Sequence, residues 1–287
     1  MSQLIQIKRR ITSIKSTKKI THAMRLIAMS LYSRLDEQQI YLKNHLQNTQ
    51  KLFDQLLRYF ANWNNTKLYP IDILDETPLF ILVSPTKGLC GGLNSNIKRY
   101  INKSLFIEEH QNPSFITIGQ NVTDHAAKQD LGPILYQCNN LSPNNYTAIA
   151  EKIIQHIFMH KEPYSSVTCY SAHLKNFFLQ TPEKIKLIPL NTSNTAESEK
   201  ELFFSDSEPI WEQQPEKVAE YLAHKYLKSS ICNLLFQSLL AENAARFVAM
   251  DGSTTNADNY LERLVLQFNK TRQGLITREV AELSSNL

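Results

Sequence analysis

Between Lys87 and Asn94 the chain reads Lys-Gly-Leu-Cys-Gly-Gly-Leu-Asn, after a strand-like apolar run and before a helical stretch. A glycine-rich turn from strand to helix can cradle phosphate on free helix amides. The P-loop spacing GxxxxGK[ST] and the dinucleotide spacing GxGxxG are both absent, so the turn reads as a tight connection or a partner contact. Cys90 inside it would need a neighbouring base to act as a nucleophile, and none is near in sequence. His156 and His160 stand four apart on a predicted helix, a spacing that can hold a metal. They form no HExxH, and a solvated helix face is the simpler reading. The remaining histidines are scattered, and no Ser-His-Asp arrangement follows from the sequence. The four cysteines contain no CxxC, which argues against a zinc site or a disulfide framework and for a reducing compartment.

The elements that would position such groups fall into three stretches. All 11 prolines lie between Pro70 and Pro215, and five of the seven glycines lie between Gly88 and Gly132. Breakers are thus nearly absent from two long arms. Residues 1–60 carry net +8, residues 61–215 net −4 and residues 216–287 net zero. In the first arm Leu4, Ile7, Ile11 and Ile14 step as a heptad seam. After an expected phase shift near Ser16–Thr17 the stripe continues through Ile20, Met24, Ile27 and Leu31, and later through Leu42, Leu46 and Phe53. A helix over 3–60 would be about 87 Å long, which suggests a coiled coil. In the last arm Ile231, Leu234, Leu235 and Leu239, then Leu261, Leu264, Val265 and Phe268, and then Ile276, Val280 and Leu283, keep helical spacing. The run 251–256 (DGSTTN) is poor in helix formers and predicts a kink or fraying.

The middle alternates strands (78–85, 115–120, 133–138, 165–172, 184–190) with helices (93–109, 121–130, 144–161). That pattern predicts an α/β sheet with parallel strands. Residues 191–208 read as an acidic loop. The fold class is therefore α/β plus coiled coil: long antiparallel terminal helices, 1–62 and 209–287, flanking a Rossmann-like sheet domain at 76–192. Apolar content of 42% excludes wholesale disorder, and no apolar stretch is long enough to span a membrane. The N-terminus lacks the features of a secretory signal. The basic first arm also fits a nucleic-acid or anionic-membrane binder, although stacking aromatics are sparse before Tyr41.

Four segments resemble one family. Ile11–Met24 (ITSIKSTKKITHAM) resembles I-x-S-[IV]-x-[NS]-T-x-K-I-T-x-A-M, and Gly88–Asn94 matches GLCGGLN. Glu242–Met250 (ENAARFVAM) is similar to E-x-A-A-R-M-x-A-M, and Phe268–Glu279 (FNKTRQGLITRE) to Y-N-K-x-R-Q-A-x-I-T-x-E. In order and spacing these resemble the gamma subunit of F-type ATP synthases. The chain departs from that pattern at several places. Arg25 stands where the family often has an acidic residue, and Asp251 where it commonly has Lys. Leu31 and Tyr32 stand near positions that are commonly Lys and Met, and Gly274 replaces an Ala.

The resemblance implies a non-catalytic rotor shaft with no cofactor and no metal. Its implied partners are the alpha and beta subunits, the epsilon subunit and the membrane ring of c subunits. It would bind no nucleic acid and reach the cytoplasmic face of a bacterial membrane through partners only. It further implies subunit contacts for Lys18, Lys19, Met24 and Arg25 on the first arm, for Cys90 on the α/β domain, and for Arg246, Arg272, Gln273, Thr277 and Glu279 on the last arm. Lys18, Lys19 and Arg25 would face an acidic loop of beta.

Overall fold

A computed structural model describes residues 2–59, 63, 65–70, 77–107, 112–190 and 213–285. The expected domain limits at 62, 76, 192 and 209, and the expected loop 191–208, lie outside these residues or in their gaps. The chain forms two compact units. One combines residues 1–31 with 246–287, and the other spans 32–245. Helix α1 (Ser2–Tyr59) and helix α5 (Pro215–Ser285) each supply both units.

The larger unit is built on five strands: β1 (Pro78–Val83), β2 (Ser114–Ile118), β3 (Ile134–Cys138), β4 (Ser166–Asn176) and β5 (Leu179–Ile188). Their order is β3-β2-β1-β4-β5. β1 is apolar throughout and buried at every position. That is what a central strand covered on both faces requires. Side chains alternate across it. Leu79, Ile81 and Val83 join Ile116 and Ile118 in a core with Ile149, Ile153 and Ile157 of helix α4 (Tyr146–Met159) and with Leu227 to Leu240 of α5. Phe80 and Leu82 join Phe115 and Tyr170 in a second core under helices α2 (Leu93–Ile107) and α3 (Gln120–Lys128). The α1 segment of this unit contributes Leu35 and Phe53, and Phe53 stacks on Tyr226 at 5.9 Å.

The expected parallel sheet holds for β1 to β4, but β5 runs antiparallel to β4. The two strands are joined at Phe177-Phe178, where the Asn176 carboxamide oxygen accepts from the amides of Phe178 (3.0 Å) and Leu179 (2.9 Å). An asparagine side chain thus builds a turn that the sequence does not announce with glycine.

The smaller unit is an antiparallel two-helix coil. On α1 the covered positions include Leu4, Ile7, Ile11, Ile14, Lys18, Thr21, Arg25 and Ala28, with steps of three and four throughout. On α5 they include Phe247, Met250, Thr254, Ala257, Leu261, Leu264, Phe268, Thr271 and Leu275, with the same steps. The heptad seam is therefore unbroken. The expected phase shift at Ser16–Thr17 is absent: Ile20 and Ile27 are each 60% exposed, and Lys18, Thr21 and Arg25 occupy the seam in their place.

The expected kink at 251–256 is also absent as a break, since α5 is helical through it. The hydroxyls of Ser253, Thr254 and Thr255 donate to the carbonyls of Ala249, Met250 and Asp251, which keeps these polar side chains occupied within the helix. Gly252 sits in this stretch with nothing within 4 Å of an added Cβ. Gly252→Ala should raise the urea unfolding midpoint, by about 0.5–1 kcal/mol in stability.

Candidate functional site

In the smaller unit, charge gathers on one flank of α1. Lys15, Lys18, Lys19, His22 and Arg25 line a groove of about 640 Å³ with Thr254, Thr255, Asp258 and Leu261 of α5. Two of these cations are engaged across the seam. Lys18 pairs with Asp258, and Arg25 Nη1 donates to Asp251 Oδ1 at 2.5 Å. Between these layers the hydroxyls of Thr21 and Thr254 share a hydrogen bond of 2.9 Å, and both residues are buried. Arg25 Nη2 lies 3.2 Å from His22 Nδ1, so the proposed contact residue Arg25 is held by groups on both helices. Lys19 is exposed, and Met24 is half-buried beside the seam. With Lys18 and Arg25 already facing carboxylates, the arm's positive charge is partly answered within the chain. That weakens the polyanion-binding reading.

The seam register places the remaining residues. The cross-helix pairs join residues whose numbers add to 275 or 276. Ser2 is thus level with about residue 274, and α5 runs on for roughly 16 Å beyond it at 1.5 Å per residue. Arg272, Gln273, Thr277 and Glu279 lie at or beyond this point, and all four are exposed. So are Ile276 (52%), Val280 (60%) and Leu283 (70%), an apolar stripe stepping by four and three on a helix with no second helix beside it among the described residues.

Two of the expected contact residues are covered in the free chain. Arg246 is only 9% exposed. Cys90 belongs to the larger unit and is 2% exposed. Its Sγ lies 3.8 Å from the Lys87 carbonyl and 3.5 Å from Asn94 Nδ2, so in the free chain it braces the glycine-rich turn from within. The group that surfaces is its neighbour Leu89, 58% exposed at φ 62°. A branched side chain in that backbone region is strained, and such strain clusters at functional sites. Sequence reasoning passed over Leu89 because the glycines around it drew the attention. The phosphate-cradle reading loses a donor, because the Thr86 amide beside the turn already donates to Glu242 Oε2 at 3.3 Å.

His156 and His160 do not converge on a metal. His156 tilts over Tyr136 at 5.4 Å and His160 stacks on Tyr164 at 4.6 Å. Among the described residues no cluster of His, Cys, Asp or Glu could hold one. All four cysteines are free. Burial pushes the Cys169 thiol up to about 12 and the Cys232 thiol to about 11. Cys90 is buried too, which leaves Cys138 partly accessible. Ellman's reagent should accordingly titrate about one thiol in the native chain and four in denaturant.

Among the described residues no helix is long and apolar enough to cross a membrane. Residues 3–286 match the ATP synthase family model. The ATP synthase gamma chain of Clostridium novyi is 32% identical over 98% of this chain and 95% of its own length. That of Symbiobacterium thermophilum is 27% identical over 96% and 94%. In fold, the chain is similar to one from the Euglena gracilis mitochondrial ATP synthase rotor, at a TM-score of 0.64 and 15% identity, over 96% of this chain and 99% of that one. It is also similar to one from the Tetrahymena thermophila central stalk and c-ring, at a TM-score of 0.55 and 20% identity, over 81% and 98%. With the two-helix coil and the α/β unit in place over the whole matched length, the chain belongs to the gamma-chain family of ATP synthases.

Proposed function

We propose that this chain is the central rotor shaft of an F-type ATP synthase. It would couple ion flow through a membrane ring to conformational change at nucleotide sites on alpha and beta subunits. The observation that carries the reading is the family match over residues 3–286, together with a coil whose two sides differ in chemistry. A single-chain coil has no threefold symmetry. Its basic groove and its exposed Ile20 and Ile27 point in fixed directions, so three equivalent surrounding subunits would each meet a different face. Unequal contact free energies then bias the three sites toward different conformations, and the coupling is reciprocal. Turning the shaft changes nucleotide affinity, and nucleotide turnover turns the shaft.

The shaft itself needs stiffness and surface chemistry, not catalytic groups. Lys19, the outer face of Lys18 and Met24 would meet an acidic segment of beta, with Met24 as an adaptable sliding contact. The overhanging end of α5, with Arg272, Gln273, Thr277 and Glu279 around its apolar stripe, would enter the alpha/beta crown. The turn at Leu89 would meet a subunit at the rim, with Cys90 acting beneath it. Epsilon and the c-ring would hold the larger unit at the cytoplasmic face of a bacterial membrane.

The test is co-expression with the cognate alpha, beta and epsilon subunits, purification through a tag on beta, and ATPase assay with and without this chain. A stable complex whose turnover depends on the chain is the expected result. Failure to co-purify, or turnover that ignores the chain, would sink the proposal.

A further inference from the structure

Towards the end of β5 the larger unit is incompletely filled. A cleft of about 280 Å³ lies between α1, β5 and α5, walled by Leu46, Ile185, Leu187 and Leu234. All of its lining residues belong to the unit 32–245. The strand explains the space. Val167 pairs with Ile188 and Thr168 with Lys186, so Leu187 is an extra residue in β5, a β-bulge. The bulge brings two successive residues, Leu187 and Ile188, into one core, and a bulged strand bends. The cleft lies along this bend. Tyr226 stands at its side and stacks on Phe53 at 5.9 Å, which fixes that wall before any ligand arrives.

The inner wall is apolar except on α5. There Ser230 and Asn233 stand three residues apart and so share a face. Ser230 spends its hydroxyl hydrogen on the Tyr226 carbonyl at 2.9 Å, which leaves its oxygen free to accept. The Asn233 carboxamide has no hydrogen-bond partner among the described residues, and its Oδ1 is covered. A carboxamide so placed loses hydration on folding and gains nothing from the protein in return. Of the lining residues only Lys186 is charged, and it is exposed, so the inner part of the cleft holds no charge to meet an ion.

We propose that this cleft is a binding site for a small, neutral, hydroxylated apolar molecule, of the size of a substituted phenol. An apolar cavity of about 150 Å³ admits benzene, so this one admits a ring with one or two substituents. The ring displaces water from Leu46, Ile185, Leu187 and Leu234. The hydroxyl answers Asn233 in either setting of the carboxamide, accepting from Nδ2 or, after a half-turn, donating to Oδ1. A ligand seated there touches α1, β5 and α5 at once and so holds both long helices against the sheet. The site stands apart from the rotor proposal.

The experiment is a ligand-observed NMR titration of the full-length chain with p-cresol and with toluene, which has the same ring and methyl but no hydroxyl. The expected Kd for p-cresol is about 0.1–1 mM, as suits a ligand of so few atoms. Toluene should bind about fivefold more weakly, the share of one hydrogen bond. Asn233→Leu keeps the volume and removes the polar group, so the two ligands should then bind within about twofold of each other. Leu46→Trp fills the cleft from its partly exposed side and should abolish saturable binding of both. No saturable p-cresol binding at millimolar concentration in the starting chain would overturn the proposal. So would a preference over toluene that survives Asn233→Leu, or p-cresol binding that survives Leu46→Trp. Equal binding of the two ligands by the starting chain would mean that water alone serves Asn233, which also overturns it. Should Asn233→Leu fail to fold, Asn233→Ala removes the same group and must give the same equality.

Discussion

Replacing Ile276 and Val280 together by aspartate is expected to leave the isolated chain folded and to weaken its assembly with alpha and beta subunits at least tenfold. Both residues project from the end of α5 that runs past α1, at 52% and 60% exposure, so the free chain loses little packing. The urea midpoint should move by no more than about 1 kcal/mol in stability, as for other exposed substitutions. In the assembled complex the stripe Ile276, Val280 and Leu283 is expected to enter an apolar surround. Carboxylates placed there lose hydration without gaining partners, and even about 1.4 kcal/mol of that penalty is a factor of ten. Co-purification yield and ATPase activity of the complex measure the second effect, and denaturation of the free chain measures the first. A complex that forms normally with both aspartates would mean that this end stands in water.

The second large effect concerns stability. Gly119→Ala should destabilise the larger unit by about 3 kcal/mol or more, a size reserved for backbone and packing faults. Gly119 links β2 to α3 at φ 100°, where a side chain is strained. A Cβ built there would lie 2.4 Å from the Ser84 carbonyl oxygen and 2.7 Å from Ser84 Oγ. Neither neighbour can retreat easily. The Ser84 amide donates to Ile118 O at 2.9 Å, and the Gly119 amide donates to Cys138 O at 2.7 Å, so three strand ends are fastened at this point. The same Gly-to-Ala change at Gly252 is expected to have the opposite sign. Urea titration of the two variants side by side separates the backbone effect from any general effect of the added methyl.

Most of the architecture was legible because hydrophobic spacing carried it. The apolar run 78–85 became the central strand at 78–83, and the breaker-poor arms became α1 and α5. What escaped did so for physical reasons. A seam that passes through Lys18, Thr21 and Arg25 is invisible to a search for apolar steps. Ile20 and Ile27, which do step correctly, drew the stripe onto a face that the fold leaves open. The helix through 251–256 was obscured by residues of low intrinsic propensity, whose hydroxyls turned out to bond within the helix. The hairpin direction of β5 depended on Asn176 closing a turn around two phenylalanines. For the contact residues, family resemblance named the positions. Only the structure distinguished covered Cys90 and Arg246 from exposed Gln273 and Thr277.

The antiparallel coil also sets an order of events during synthesis. Leu4 to Ala28 leave the ribosome well before the segment they close against, Met250 to Thr271. At about 5–20 residues per second, more than 200 intervening residues separate the two by roughly ten to forty seconds. For that interval the first arm, with its basic flank and two apolar stripes, has no second helix to close against. The strands of the sheet unit all emerge while the arm waits, and the coil can close only once α5 has been made.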